Sequence, residues 1–454
     1  MPDHTILIAG GGASGMLLAA NAVRASANAR VVIIEPREQL GRGMAYSTIY
    51  PEHLLNVPAG RMSAFVNDPE HFVRFLEQRD DDRSSASSFV QRRIYGDYLE
   101  WIARETSDTA GARWQHVRAR AVDAALDERG VNVVCDDGST LRGDALVLAT
   151  GNAAPAPWSG AIPHGQGAER WFASAWDEHA LAPLEPMADV LLLGTGLTAI
   201  DAVLALRHNG HRGTIYMVSR RGLLPHEHRL FDAPPQANPQ AESMHDLFGA
   251  VRAVARRPAG TWRASIDGLR SRTNSLWQAL SVNDQRRFLR HMMPYWNVHR
   301  HRMAPEVAKS IADAISSGWL RMLAGRTGKI VATQQGLRVP IRLRGEERTI
   351  ELEVGRAINC SGPAHDVRAL ADPLIARLIA QGIMRPSGLG IGADIASNGA
   401  LRDAGGIDSR RVFAIGPVRF GTLIETTAMP EIRSQAKELA ELLLAGFDAC
   451  MSLV

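Results

Sequence analysis

The sequence predicts an α/β protein with two Rossmann-like dinucleotide-binding domains and a helical cap insertion, and three observations carry that prediction. Two glycine-rich turns, Gly10-Gly11-Gly12-Ala13-Ser14-Gly15 and Gly194-Thr195-Gly196-Leu197-Thr198-Ala199, each follow a short apolar run, residues 6–9 and Val190–Leu193. Each leads directly into an Ala/Leu-rich stretch with helical character, so the glycines occupy strand-to-helix turns. At 454 residues the chain is long enough for two or more domains.

The glycine spacing has a physical reading. Gly10 and Gly194 permit the tight turn, while Gly12 and Gly196 let backbone N–H groups approach a pyrophosphate. Gly15, with Ala199 in the second copy, lets helix pack on strand. Ser14 and Thr198 sit in the first helical turn, where their hydroxyls reach the same phosphates.

The next strand after each turn separates the two sites. Beyond the first turn, a strand over residues 31–34 ends in Glu35, twenty residues past Gly15, where a carboxylate accepts hydrogen bonds from ribose hydroxyls; this is the adenosine half of FAD. Beyond the second, the strand over residues 214–218 ends in Ser219-Arg220-Arg221-Gly222, with no acid and two guanidiniums suited to a ribose 2′-phosphate. NADPH is therefore expected over NADH, which stays possible. The bland alternative is two glycine turns without a nucleotide and two solvated arginines.

Composition excludes several classes. A net charge of +3, spread over scattered arginines with no long basic stripe, argues against a nucleic-acid partner. Met1 runs into a strand within a few residues and no window reaches a membrane-spanning apolar length, so no signal peptide and no membrane partner are expected and a cytoplasmic location is predicted. Cys135, Cys360 and Cys450 are widely separated without a Cys-x-x-Cys, which removes the dithiol of a disulfide reductase and makes buried structural thiols the default.

Between Glu35 and the second turn the pattern gives helices at residues 69–79 and 95–104 around a polar run, 80–88. A small β-meander is then formed by strands at 117–125, 131–135 and 140–141, and feeds a strand over Ala145–Leu148. That strand ends in Ala149-Thr150-Gly151, a small-residue corner where backbone passes close to a flavin pyrophosphate. Residues 357–363 read as a crossover strand, and 412–417, ending in Gly416-Pro417, as the last strand of the flavin domain before a helix at 430–445. The domain plan is a split flavin domain, 1–155 and 359–454, around an NADPH domain, 156–230 and 329–358, that itself carries a helical cap, 231–328. Thr426 and Thr427 open the last helix, whose N-terminal dipole suits the negative charge a flavin gains on reduction.

The cap has no glycine turn of its own. Its densest run, 287–302 (RFLRHMMPYWNVHRHR), combines guanidinium, imidazole and aromatic groups, and Trp296, His299, Arg300 and Arg302 are the substrate candidates. A basic outer face on a packed helix is the competing reading. His226-Glu-His228 and His299-Arg-His301 lack a third ligand at helical or strand spacing, so no metal site is expected.

Several motifs together resemble one family: Gly41-Arg-Gly-Met-Ala-Tyr46, His53-Leu-Leu-Asn-Val-Pro-Ala59, Met62-Ser63-Ala64, residues 296–302, and residues 421–433. The chain is similar to the bacterial FAD/NAD(P)-binding proteins distantly related to class B flavin monooxygenases, whose relatives include flavin-dependent urate hydroxylases and, more distantly, amino-acid N-hydroxylases. The resemblance covers almost the whole chain and places Arg42, Asn56, Met62 and Ser63 near the flavin. It implies a monooxygenase in which NADPH reduces FAD, O₂ adds at the flavin C4a, and the peroxide hydroxylates a small substrate.

Residues 144–151 are also similar to the ATG motif of N-hydroxylating enzymes, although Asn152 stands where those have Tyr, which weighs against an amine. No F-x-G-x-x-x-H precedes the second turn, against a Baeyer–Villiger enzyme, and Gly416-Pro417 stands where disulfide reductases have Gly-Asp. No residue reads as an obligatory general base, and catalytic residues stay unassigned. The favoured substrate is an anionic, nitrogen-rich heterocycle such as urate, oriented by His299, Arg300 or Arg302. The alternatives are an amino-acid N-hydroxylase, an NADPH-dependent flavin reductase or oxidase, and a non-catalytic nucleotide-sensing flavoprotein.

Overall fold

The computed structural model describes residues 4–79, 85–158, 163, 167–229 and 261–451. Strands β1 (His4–Ala9), β2 (Ala29–Ile34) and β3 (Trp114–Val117) open the chain. A separate antiparallel sheet of β4 (Ala121–Asp127), β5 (Gly130–Cys135) and β6 (Thr140–Gly143) comes next, and β7 (Ala145–Leu148) rejoins the first. The second sheet is built from β8 (Trp171–Phe172), β9 (Val190–Leu193), β10 (Ile215–Ser219), β11 (Leu320–Thr327), β12 (Val331–Ala332), β13 (Leu337–Leu343), β14 (Thr349–Val354) and β15 (Arg356–Asn359). The chain then returns to the first sheet through β16 (Ala400–Arg402) and β17 (Asp408–Ala414).

The first sheet runs β16-β17-β7-β1-β2-β3, parallel except for β16. The second runs β12-β13-β11-β10-β9-β15-β8, with β14 on β13, and its β11-β10-β9-β15-β8 portion is parallel. Parallel strands covered on both faces need apolar residues at every position, which is why these segments read as unbroken apolar runs. Ile6 and Ile8 enter one core with Met16 and Leu17, while Leu7 and Ala9 enter the opposite core with Val131 and Leu374. The second sheet repeats this, with Val190 and Leu192 on one side and Leu191 and Leu193 on the other.

Helix α1 (Ala13–Ala25) leaves β1, and after α2 (His71–Glu77) and α3 (Arg92–Ala110), α4 (Leu197–His208) leaves β9. Each central strand lies between neighbours reached by opposite crossovers, β1 between β2 and β7, and β9 between β10 and β15. Ligands bind at the carboxyl ends of strands at such switch points.

The structure redraws three boundaries. Leu320–Thr327 pairs with β10 and the helix Pro305–Ser316 packs on the same core, so the second sheet resumes by residue 320 and not at 329. Burial along β11 is patchy, a pattern too weak to stand out beside the helix before it. Residues 357–359 pair with β9 and β8, so this strand belongs to the second sheet and carries Asn359 with it. The first strand of the meander is likewise split, since Trp114–Val117 belongs to the first sheet and the meander starts at Ala121. Part of the cap plan, residues 231–260, and of the polar run, 80–84, lies outside the described residues.

Candidate functional site

The two glycine turns have the same bonding plan. Gly10 N–H donates to Ile34 O at 3.0 Å and Gly194 N–H to Val218 O at 2.8 Å, each reaching the end of the neighbouring strand. Gly10 holds φ +111° and Gly194 φ +132°, and a Cβ on them would stand 2.3 Å from Ala149 O and 2.5 Å from Cys360 O. No other residue fits either position. At Gly15 a Cβ would meet Gly10 O at 2.0 Å, the close helix-to-turn approach the sequence requires there. Gly12 precedes α1 and faces Gly43, 3.4 Å from a Cβ, while nothing lies within 4 Å of one at Gly196.

Glu35 is buried at the end of β2, and its Oε2 accepts from Gly11 N–H at 2.9 Å. Arg37 adds bonds to both carboxylate oxygens, at 2.8 and 3.2 Å. Burial works to raise the Glu35 pKa, but the bonds from Arg37 and Gly11 outweigh it and hold the carboxyl lowered and ionised. Arg37 N–H also donates to Oε1 at 3.2 Å, so each oxygen accepts two bonds and ribose hydroxyls would take the place of the half-exposed Arg37 guanidinium. Arg37 escapes sequence reasoning, because nothing in Glu35-Pro36-Arg37 marks which way the guanidinium folds.

A cavity of about 610 Å³ opens over the first turn. Gly10, Gly12, Ser14, Glu35, Arg42, Thr150 and Gly151 line it from the first domain, Thr427 and Met429 from the start of the C-terminal helix, and Thr198 and Asn359 from the second. The Arg42 guanidinium is nevertheless held by α3, through Glu100 at 2.9 Å and Asp97. Asn56 lies half-buried, and Met62 and Ser63 are buried, Met62 in the core against α1 and α3 and Ser63 donating to Phe65 O at 3.2 Å; none of the three lines the cavity. Gly416 holds φ +75° with a Cβ position 2.3 Å from Ser14 Oγ, and Thr426 Oγ1 donates to Gly416 O at 2.8 Å. Gln435 closes this knot, accepting from Gly416 N–H at 3.0 Å and donating to Thr426 at 3.1 Å. Gln435 is nearly two turns into the C-terminal helix and carries no sequence signal.

In the second domain Ser219 Oγ accepts from Thr195 Oγ1 and Gly222 N–H, both at 3.0 Å, and so fixes the loop of Arg220 and Arg221. Arg220 is exposed. Arg221 instead reaches the cap, donating to Arg290 O at 3.3 Å and lying 5.6 Å above the Tyr295 ring.

The four substrate candidates of the cap are already engaged. Arg302, 2 % exposed, pairs with Asp267 at 2.5 Å, and Arg300 with Glu425 and Glu431, each at 3.3 Å. Trp296 Nε1 donates to Glu425 Oε1 at 2.9 Å, and the half-buried His299 packs edge-on against Trp262 and His226. None of the four lines the cavity. Arg270 joins this network with a bidentate pair to Glu431 at 2.7 and 3.0 Å, clasping the cap to the start of the C-terminal helix. The expectation of guanidiniums open to an anion therefore gives way: their partners Asp267, Glu425 and Glu431 come from other parts of the chain.

Cys135 and Cys360 are buried free thiols outside the cavity lining, and burial pushes the Cys360 thiol up; the side chain of Cys450 lies outside the described residues. Among the described residues no cluster of three metal-ligating side chains occurs and no helix is long and apolar enough to cross a membrane.

Residues 7–153 match the model of an FAD-NAD(P)-binding family. The fold, two Rossmann-like sheets with their helices, is like that of flavin monooxygenase structures. L-lysine 6-monooxygenase from Pseudomonas syringae superposes with a TM-score of 0.69 at 16% identity, over 98% of this chain and 99% of that one. Ornithine hydroxylase from Pseudomonas aeruginosa, in its reduced form, gives 0.67 at 18%, again over 98% and 99%. The FAD-bound cadaverine monooxygenase of desferrioxamine biosynthesis from Erwinia amylovora gives 0.65 at 14%, over 99% and 95%. No curated protein matches the sequence.

Proposed function

We propose that this chain is an FAD-dependent NADPH monooxygenase that hydroxylates a small nitrogen-containing substrate. One observation carries the reading: Thr198, at the start of the helix after the second glycine turn, lines the same cavity as Gly10, Gly12 and Glu35 of the first. A flavin held by the first turn and a nicotinamide held by the second would share that space, which is what hydride transfer between them requires.

The donor set fits both groups. Gly12 and the start of α1 offer N–H groups to a pyrophosphate, Gly11 N–H holds Glu35 at the position of the ribose hydroxyls, and the Gly416–Thr426 knot holds the C-terminal helix with its N-terminus at the cavity. The bound flavin supplies oxygen activation after reduction by NADPH. The chain's part is to orient the two cofactors and to place positive dipole where reduction adds charge. Arg220 is the exposed guanidinium for the 2′-phosphate.

The three similar structures named above are ornithine, lysine and cadaverine enzymes, which favours a primary amine as the substrate over an anionic heterocycle. The pairing of Arg300 and Arg302 with carboxylates withdraws the main support for urate. The test is to purify the yellow protein and measure NADPH and O₂ consumption with ornithine, lysine, cadaverine and urate, assaying hydroxylated product. Product with one class supports the reading and selects its substrate; NADPH loss that yields only hydrogen peroxide with every compound sinks it in favour of a flavin oxidase.

A further inference from the structure

The aromatic side chains on one face of α3 run from the cavity to the outside. Tyr46 lines the cavity, and its ring centroid is 4.8 Å from that of Tyr95. Tyr95 lies 5.4 Å from Tyr98, and Tyr98 stacks on Trp101 at 6.1 Å with planes 26° apart. Tyr95, Tyr98 and Trp101 succeed one another at three-residue intervals and so share a helix face. Tyr95 and Tyr98 are fully buried, whereas Trp101 is half-buried.

Packing alone accounts for rings but not for these hydroxyls. The Tyr95 hydroxyl is buried with no hydrogen-bond partner among the described residues, a site where Phe would fill the same space without the desolvation cost. The Tyr98 hydroxyl is placed for proton transfer: it accepts from Ala64 N–H at 3.1 Å and lies 2.7 Å from His71 Nδ1, which accepts the phenol proton in the tautomer that carries the imidazole proton on Nε2. Burial first, and then the positive charge of Arg24, hold the His71 pKa at about 4, so the imidazole is a neutral acceptor at pH 7.

We propose that Tyr46, Tyr95, Tyr98 and Trp101 form a one-electron conduit that carries oxidising equivalents from the cavity to the half-buried edge of α3. The cavity end rests on the flavin reading above. The oxidant is a hydroxyl-radical-class species from incompletely reduced oxygen, which takes one electron from Tyr46 and one proton from solvent to become water. The electron is replaced in turn from Tyr95, Tyr98 and Trp101; Tyr95, whose hydroxyl has no acceptor among the described residues, passes the charge as a cation radical that keeps its proton. While Tyr98 is the oxidised ring its proton sits on His71, and it returns when Trp101 supplies the electron. A small reductant of the thiol or ascorbate class then refills Trp101.

Two measurements on the full chain test this. In the first, a ruthenium polypyridyl photo-oxidant with a sacrificial acceptor oxidises the protein in solution, and frozen samples are read by electron paramagnetic resonance. The parent is expected to show tyrosyl radical, and Y98F and W101F to lose most of it; equal tyrosyl yield in all three overturns the conduit, whether or not flavin is bound. In the second, the excited-state lifetime of the bound flavin is compared between parent and Y46F, where the same ring is kept without its hydroxyl. A severalfold longer lifetime in Y46F is expected, and an unchanged lifetime overturns the cavity end. Absence of bound flavin in the parent would refute the function proposed above and with it the cavity end, leaving the first measurement to decide the rest of the chain.

Discussion

Arg92, the first residue of α3, holds Asp201 in the middle of α4 through two bonds of 2.7 Å, one to each carboxylate oxygen. The pair joins the first domain to the helix that leaves the second glycine turn. His53 Nε2 meets Asp201 O at 2.9 Å, and Arg92 also donates to Leu54 O at 3.1 Å, so the contact is a cluster and both charges are largely out of water. It fixes the angle between the two nucleotide turns, on which the shared cavity depends.

Breaking that pair is expected to cost stability and cofactor geometry together. Arg92→Ala leaves Asp201 without its charge partner and should lower unfolding free energy by about 3–5 kcal/mol in urea denaturation, the range for truncating one side of a largely buried pair. The double variant with Asp201→Ala should lose less than the sum of the singles. Full additivity would show that the two side chains act independently.

The glycines divide into two kinds, and their alanine variants should as well. Gly15→Ala drives a Cβ to 2.0 Å from Gly10 O, so the first turn must deform and flavin content per chain should collapse. Gly196→Ala meets no protein atom within 4 Å, so this variant should fold and retain flavin normally while its KM for NADPH rises. Flavin absorbance per chain and NADPH titration separate the two outcomes. A Gly15→Ala protein with full flavin would disprove the assignment of the first turn.

Arg220 and Arg221 should part company. Arg220→Ala removes the exposed guanidinium and should raise the apparent KM for NADPH about tenfold, the worth of one charge-assisted bond to phosphate, with little change for NADH. Arg221→Ala should also loosen the cap, since its partners are Arg290 O and the Tyr295 ring. Protease cleavage within the cap reads the second effect, and equal responses to both nucleotides in Arg220→Ala would end the discrimination argument.

Buried histidine makes the protein acid-sensitive. His211 is 3 % exposed, and burial first, then Arg207 and Arg356, lower its pKa from 6.5 to about 4. Between those values the unfolded chain binds a proton that the native state does not, so this contribution is intact above pH 6.5 and lost as pH falls toward 4. His211→Leu should flatten that part of the stability profile by roughly 2 kcal/mol in denaturant titrations at about pH 7 and about pH 4.5. An unchanged slope would place the acid sensitivity elsewhere.

Legibility in the sequence divides along contact range. The turns at Gly10 and Gly194 are legible because strand, glycines and helix are consecutive, and Glu35 because its distance from the turn is fixed by one βαβ unit. Arg300 and Arg302 are legible as charges but not as ion pairs, because Asp267, Glu425 and Glu431 reach them only through the folded cap. Arg92 and Asp201 are separated by more than a hundred positions, and each alone looks like an ordinary helix charge. Residues 320–327 lack strong alternation, and only pairing with β10 reveals them as part of the second sheet.

The cap arginines give the sharpest separation between structure and substrate roles. Arg302→Ala would strand Asp267 beside a buried site, at a cost of about 3–5 kcal/mol. Arg302→Lys keeps the charge but cannot match the contacts the guanidinium makes to Asp267 and to His299 O, so it should recover only part of that loss. If Arg302 and Arg300 instead met the substrate, activity would fall in variants whose stability was restored by removing the acid partner as well. The double variant Arg302→Leu/Asp267→Leu takes both charges out of the interior and should regain most of the lost stability. Substrate-stimulated NADPH oxidation within about twofold of the parent in that protein would place these side chains in the clasp. A drop of roughly tenfold or more, with stability regained, would return Arg302 to the substrate.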